Sequence, residues 1–214
     1  MITVAHPLEP VWNSESKILI LGTMPSPASR SAGFYYMHGQ NRFWKVLAAV
    51  FGEELEFTNK GLRADGTCRE SFKAVRDATE ILLKDDRMPQ KADKKPDLVA
   101  AIKERRDLLL RHKIALWDVL SQCDINGASD SSIKNAIPND FSRIFRESEI
   151  RRVFCTGKTA FSLWRKHCAP LYENDFGITS VCLPSTSPAN AAWSVEKLTQ
   201  AYSVLLSAPL SIVL

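Results

Sequence analysis

The chain has 214 residues and a net charge of +4, and 45% of its residues are hydrophobic. This length and composition predict one globular domain over residues 1–214 with its own hydrophobic core. No apolar run is long enough to span a bilayer, and the first ten residues lack the basic and apolar regions of a signal peptide. These features argue against a membrane protein and favour a cytoplasmic monomer. The mild basic surplus is compatible with a nucleic-acid partner.

In chain order, the predicted elements are a strand at 17–21, a helix at 41–51, strands at 114–119 and 152–156, a helix at 158–168, a strand at 178–183 and a helix at 194–206. Apolar strands that alternate with helices predict a parallel sheet covered on both faces. The expected fold class is therefore α/β, a three-layer αβα sandwich with a central four-stranded, mainly parallel sheet. The charged segment 58–113 is expected to add helices on one face and a solvated loop at residues 91–95.

Five cysteines and four histidines are scattered along the chain. None of the cysteines forms a CxxC pair, and the histidines lack the spacing of metal ligands. We therefore predict no metal site, no cofactor and free thiols. Cys155 and Cys182 lie in strand-like runs and are expected to be buried as small hydrophobic residues.

The first strand is followed by an unusually long connection, residues 22–44, which we call the first loop. A loop of this length in a compact domain is usually functional or disordered, and its many aromatic residues argue against disorder. Its polar side chains include Ser26, Ser29, Tyr35, Tyr36, His38 and Asn41. The alternative is a structural Ω-loop packed by its own aromatic rings.

A second unusual segment, LPSTSPANA at residues 183–191, follows the last predicted strand, and we call it the terminal loop. Its small hydroxyl side chains and backbone amides would allow a close approach to phosphate, although such a segment can also be an ordinary turn. Because ligands of open α/β sheets bind at the carboxyl ends of the strands, we expect both loops and the loop after Asp118 to meet there.

Together, GTMPS at 22–26, NRFW at 41–44 and the terminal loop resemble the uracil-DNA glycosylase superfamily. The resemblance spans nearly the whole chain and is strongest toward the hypoxanthine-DNA (deoxyinosine) glycosylase branch, while residues 22–52 also resemble the mismatch-specific uracil glycosylases. One departure is His38-Gly39, where related sequences often have His-Pro.

The resemblance places Thr23 and Met24 on the catalytic side of the pocket. The superfamily usually has Asp or Asn at the position of Met24, where it orients or activates the attacking water, and a methionine can do neither. In the hypoxanthine branch this polar role falls to Asn41, whose amide oxygen could hold a water. The alternative is that Asn41 only caps the helix at residues 42–51.

The resemblance also suggests how base and DNA are held. An aromatic ring, Phe34 or Tyr36, would stack on a base extruded from the duplex. Asp118 ends a strand where the superfamily usually has an Asn that reads uracil, although it could instead cap a loop at 121–132. The expected DNA contacts are Ser26, Ser185, Thr186, Ser187 and Asn190.

These inferences predict a DNA glycosylase that hydrolyses the N-glycosidic bond of a deaminated base, hypoxanthine first and uracil second. Because neither loop contains a lysine, the enzyme is expected to be monofunctional and to use water. One alternative, favoured by Met24, is an inactive DNA- or nucleotide-binding module on the same fold. A flavodoxin-like small-molecule enzyme is disfavoured because the chain has no Gly-rich phosphate loop; before Gly157-Lys158-Thr159, Arg152 stands where a P-loop needs its first glycine.

Overall fold

The computed structural model describes residues 1–56 and 98–207. The helices and strands in chain order are β1 (Ile2–Ala5), β2 (Ile18–Gly22), α1 (Pro27–Ala32), α2 (Phe43–Phe51), α3 (Leu98–Arg111), β3 (Ile114–Asp118), β4 (Leu120–Asn126), β5 (Ser129–Pro138), α4 (Ser142–Glu147), β6 (Arg152–Thr156), α5 (Lys158–His167), α6 (Ala169–Phe176), β7 (Thr179–Leu183), α7 (Val195–Tyr202) and a 3₁₀ turn (Ser203–Leu205). Most of the segment predicted as helices and a solvated loop, residues 57–97, lies outside the described residues.

The central sheet is parallel, with strand order β3-β2-β6-β7. All five residues of β2 are buried, and they alternate between the two faces. Ile18 and Ile20 pack into a core that includes residues of α2, α3 and α7, whereas Leu19 and Leu21 pack into a second core with α4, α5 and α6. The predicted three-layer αβα architecture is therefore confirmed.

A second, antiparallel sheet of order β1-β4-β5 was not predicted. The sequence 121–132 was expected to be a loop, because polar residues dominate it. In the structure β4 continues almost directly from β3, and its residues Leu120, Cys123 and Ile125 are buried in the second core. The turn between β4 and β5 contains Gly127 at φ +61, a backbone conformation that glycine adopts without strain. The expectation of a loop at 121–132 was wrong.

Other differences concern the ends of elements and short helices. The helix expected at 41–51 begins at Phe43, and α1, α4 and α6 were not predicted. Cys155, in a central strand, is buried as expected, but Cys182, in the edge strand β7, is exposed. Within residues 1–56 and 98–207, no helix has both the length and the apolar character needed to cross a membrane.

Candidate active site at the carboxyl edge of the sheet

A cleft of about 610 Å³ opens at the carboxyl ends of the parallel strands. Its lining comprises residues 22–26, 29, 35, 36, 38 and 41 of the first loop, Asp118, residues 125 and 127–131 of the β4–β5 hairpin, residues 156–159 after β6, and residues 185–190 of the terminal loop. The first and terminal loops thus meet as predicted. The segment after Asp118 also lies there as expected, although it forms the β4–β5 hairpin instead of a loop. The contribution of the β6–α5 connection was not predicted.

Asp118 lies at the base of the cleft, at the end of β3, paired in register with Gly22. Its Oδ2 lies 2.9 Å from Nε2 of His6, and both side chains are almost completely buried. The backbone N–H of Leu8 donates to Nδ1 of the same ring, so Nε2 must carry the proton and donate to Asp118. His6 therefore fixes one carboxylate oxygen. The proposed alternative, that Asp118 caps a loop at 121–132, is wrong because that segment belongs to the β4–β5 hairpin.

Gly22 lets this carboxylate approach the backbone of β2. A Cβ atom at residue 22 would lie 2.2 Å from Oδ1 of Asp118 and 2.9 Å from the hydroxyl oxygen of Tyr36. Any side chain at this position would displace Asp118 from the cleft. The glycine of the GTMPS motif is therefore required by the position of a side chain that comes from a different strand.

Tyr36 lines the cleft, whereas Phe34 does not. The ring of Tyr36 stacks on Phe43 with centroids 3.9 Å apart, and its hydroxyl lies 2.8 Å from Oγ1 of Thr156. Burial, and then the charge of Asp118, raise the pKa of Tyr36 well above its usual value, so the phenol stays protonated. Phe34 is 5% exposed and stacks on Trp44 in the core, so it is not available to stack on a base.

Thr23 and Met24 follow Gly22 along the cleft wall. The side chain of Met24 is mostly buried and belongs to the second core. The hydroxyl of Thr23 donates to Oδ2 of Asp130 at 2.9 Å. Asp130 was missed by the sequence analysis, because its segment was assigned to a loop and nothing in the chain order links it to residue 23.

Asp130 is an exposed residue of the β4–β5 hairpin, and it lines the cleft. Partial desolvation by the neighbouring protein raises the pKa of its carboxyl group above the usual value, the hydrogen bond from Thr23 opposes this shift, and the negative charge of Asp118 adds to it. The cleft therefore contains two carboxyl groups, at residues 118 and 130, on either side of the GTMPS motif.

Asn41 lies on the cleft wall with its amide oxygen already engaged. Oδ1 accepts the backbone N–H of Phe43 at 2.9 Å and the hydroxyl of Thr186 at 3.0 Å. Because a backbone N–H can only donate, this atom must be the oxygen, and its two lone pairs are both used. The polar group that remains is the Nδ2 amide, a donor. The expectation that the amide oxygen holds water is therefore wrong. The expectation that Asn41 caps the helix is correct in part, because its oxygen accepts the backbone N–H of Phe43, the first residue of α2.

Arg42 joins the first loop to the end of the chain. Its guanidinium donates to four backbone carbonyls, those of Thr186, Ser187, Asn190 and Trp193. Its own backbone N–H also donates to the carbonyl of Thr186. One planar side chain thus fixes the path of the terminal loop against the start of α2.

The terminal loop and α1 present the remaining predicted DNA contacts. Ser185, Ser187 and Asn190 line the cleft and are partly exposed, and the side chain of Asn190 also donates to the carbonyl of Ser185. Thr186 is buried, and its hydroxyl holds Asn41, so it is not placed to contact phosphate as expected. Ser26 lines the cleft while its side chain caps α1 by accepting the N–H of Ser29.

A basic residue also lies on the cleft, at Lys158, the first residue of α5. It belongs to the Gly157-Lys158-Thr159 sequence, which lacks the first glycine of a P-loop and was therefore not predicted to contribute to the site. In the described part of the chain, no group of three or more His, Cys, Asp or Glu side chains is arranged to hold a metal ion.

The fold and the cleft agree with the comparison to known families. The family model of the uracil DNA glycosylase superfamily matches residues 10–206. The chain therefore belongs to the uracil DNA glycosylase superfamily.

Two relatives are named hypoxanthine DNA glycosylase. The protein from Methanosarcina barkeri is 27% identical over 133 residues, which span 62% of this chain and 58% of that protein. The protein from Methanosarcina acetivorans is 25% identical over 188 residues, 87% of this chain and 89% of that protein. A solution NMR structure of a Methanosarcina acetivorans protein, described there as a proposed uracil DNA glycosylase, shares the fold with a TM-score of 0.61 and 22% identity, covering 96% of this chain and 99% of the other.

The clamp formed by Arg42 leads to a prediction about stability. Arg42→Lys removes the forked donor that binds four carbonyls, and a single ammonium cannot replace it. We expect the free energy of unfolding to fall by about 1–3 kcal/mol, because hydrogen bonds from a charged group contribute on this scale. Denaturant titration would measure the loss, with Arg143→Lys as the control, since Arg143 lies on an exposed helix face, where it pairs with Glu147 and lies over the ring of Trp12. Equal stability of the two variants would contradict the inference that the hydrogen bonds of Arg42 stabilise the fold.

Proposed function

We propose that the protein is a monofunctional DNA glycosylase that removes a deaminated base, hypoxanthine in preference to uracil. The observation that carries this proposal is the meeting of the GTMPS, NRFW and LPSTSPANA segments around one cleft that also contains two carboxyl groups. Membership of the superfamily supports DNA as the substrate, and the names of the two Methanosarcina relatives support hypoxanthine.

The cleft suits an extruded base. A volume of about 610 Å³ lies within the range of small-molecule sites and accommodates a purine together with its sugar. Extrusion costs least at a mispaired base, which itself favours deaminated sites. The ring of Tyr36 is held by Phe43 and Thr156, so it can form a rigid wall beside the base. Phosphates on either side of the base would meet Ser26, Ser185, Ser187, Asn190 and Lys158 at the rim.

The cleft also suits the transition state. The sugar becomes cation-like as the N-glycosidic bond breaks, in the same way as in O-glycoside hydrolysis. Carboxylates at residues 118 and 130 place negative charge in the cleft before the reaction begins, and fixed charge of the right sign is usually the largest catalytic contribution. Met24 therefore does not by itself make the site inactive.

Base choice is assigned to Asp118. Its Oδ2 is occupied by His6, which leaves Oδ1 to accept a ring N–H such as N1–H of hypoxanthine. The neighbouring O6 of hypoxanthine then needs a donor. The amide nitrogen of Asn41 can supply one, because its oxygen is already bound by Phe43 and Thr186.

The direct test uses oligonucleotides that contain one deoxyinosine, deoxyuridine or deoxyxanthosine, in single and double strands. We expect hypoxanthine to be released fastest, with an intact abasic site that breaks only after alkali or heat. Strand breakage without treatment, or a covalent complex trapped by borohydride, would contradict a monofunctional enzyme, and loss of the complex in Lys158→Gln would identify its lysine. Specific binding without base release would favour the inactive binding module.

Asn41 is tested by two variants. Asn41→Ala should slow base release by roughly 10²-fold or more with little change in DNA affinity, as for loss of a group that acts in the transition state. Asn41→Asp keeps an acceptor for Phe43 and Thr186 but loses the donor, so it should be folded and similarly slow. Single-turnover rates measure the role of Asn41 in base release, and melting temperatures measure its structural role. Full activity of Asn41→Asp would show that the donor is not needed.

Asp118 is tested by the ratio of two activities. An asparagine at residue 118 can both accept from a ring N–H and donate to a carbonyl oxygen, which matches uracil. Asp118→Asn should therefore raise the ratio of uracil to hypoxanthine excision by about tenfold, equivalent to ~1.4 kcal/mol. A parallel fall of both activities, or no change in either, would show that base choice lies elsewhere.

A further inference from the structure

We propose that Asp130 activates the attacking water, replacing the side chain that the superfamily usually supplies at the position of Met24. The inference rests on the proposed function. It comes from the juxtaposition of the β4–β5 hairpin with the GTMPS motif, two segments that are more than one hundred residues apart in the chain.

The reaction needs an acceptor that can take a proton from water. Met24 has none, and both lone pairs of the Asn41 amide oxygen are used by Phe43 and Thr186. Two carboxyl groups remain among the described residues that line the cleft, those of Asp118 and Asp130. The imidazole of His38 also lines the cleft, but its Nδ1 accepts the backbone N–H of Gln40, so its Nε2 carries the proton and donates. The water-activating group is therefore one of the two carboxyl groups, or the reaction proceeds without such a group.

The positions of the two carboxyl groups assign them different tasks. Asp118 is 4% exposed at the base of the cleft, and His6 holds it there. Asp130 stands on the exposed hairpin, where water reaches it, and Thr23 holds its Oδ2 at 2.9 Å. In the described part of the chain, Oδ1 of Asp130 accepts no hydrogen bond. The deep carboxylate thus meets the base, and the outer one meets the water.

Thr23 brings this carboxylate to the right place. It is the residue before Met24, so its hydroxyl fixes Asp130 next to the position from which a motif aspartate would act. The raised pKa of Asp130 agrees with this task, because a base whose pKa is nearer to the working pH takes up a proton more readily. Thr23 is accordingly a positioning residue, and Asp130 is the catalytic one.

The step balances as a hydrolysis. The glycosidic C1′–N bond breaks, and its electron pair leaves with the base. The water oxygen forms a bond to C1′ while one of its protons passes to the carboxylate of Asp130. That proton is then released to solvent, and the base anion is protonated. The products are an abasic sugar and the free base, and no oxidant, metal or covalent intermediate is involved.

The test compares Asp130→Asn with Asp124→Asn. Asp124 is an exposed carboxylate on the same hairpin that binds Thr3 and Asn135 outside the cleft. Asp130→Asn keeps an acceptor for Thr23 but cannot take a proton. We expect its single-turnover rate of hypoxanthine release to fall by roughly 10²-fold or more, with unchanged melting temperature and unchanged affinity for an oligonucleotide carrying a tetrahydrofuran abasic analogue. Asp124→Asn should retain the wild-type rate.

The pH dependence of the rate distinguishes a catalytic role of Asp130 from a purely structural one. Asp130 must be ionised to act, so the wild-type rate should fall as the pH drops through its raised pKa. Asp130→Asn should lose this acid limb. In Thr23→Val the limb should shift to higher pH, because the hydrogen bond from Thr23 lowers the pKa of Asp130. The other titratable groups that line the cleft are Tyr35, Tyr36, His38, Asp118 and Lys158. Because the proposal assigns the acid limb to Asp130 and not to these groups, the His38→Gln variant should keep the limb.

Three results would overturn the inference. An Asp130→Asn variant with the wild-type rate would show that the carboxylate is not needed, while the proposed function would stand. An Asp118→Asn variant that loses all activity, together with an Asp130→Asn variant that only changes base preference, would reverse the two assignments. A wild-type protein that releases no base from any of the three substrates would overturn both the inference and the proposed function.

Discussion

The site depends on the hydrogen bonds that join the first loop to the terminal loop. Arg42 binds four carbonyls of the chain around residues 186–193, and the hydroxyl of Thr186 returns a hydrogen bond to Asn41. The two segments are about one hundred and forty-five residues apart in sequence, yet each fixes the conformation of the other. Because the same contacts use up the amide oxygen of Asn41, they also determine that this residue faces the cleft as a donor.

The second constraint is the close approach of Asp118 to the backbone at Gly22. The parallel register of β2 and β3 places these residues side by side, and His6 from the N-terminal segment closes around the carboxylate. Asp130 approaches the next residue, Thr23, from the hairpin. Three separate parts of the chain therefore place polar groups around Gly22 and Thr23, at the end of β2.

The sequence allowed the central sheet to be predicted, because β2, β3, β6 and β7 are short, largely apolar runs that end at glycine, proline or a polar residue. It also indicated both motif loops, since their composition is unusual for connections. It did not reveal Asp130 or His6. Their roles arise from contacts across 107 and 112 residues. The strands that carry or precede them are short and mostly exposed in the case of β1, and mostly polar with no buried residue in the case of β5. Phe34 was misjudged because an aromatic residue in a loop has the same appearance in sequence whether it packs inward or faces a ligand.

The most direct test of the account is a crystal structure with duplex DNA that contains 2′-fluoro-2′-deoxyinosine, whose fluorine disfavours the cation-like sugar and so preserves the glycosidic bond. The account predicts that the hypoxanthine leaves the duplex and lies in the cleft with N1–H toward Asp118 and with a water between Asp130 and C1′. A base that stays stacked in the duplex, or DNA bound to another face of the protein, would contradict it.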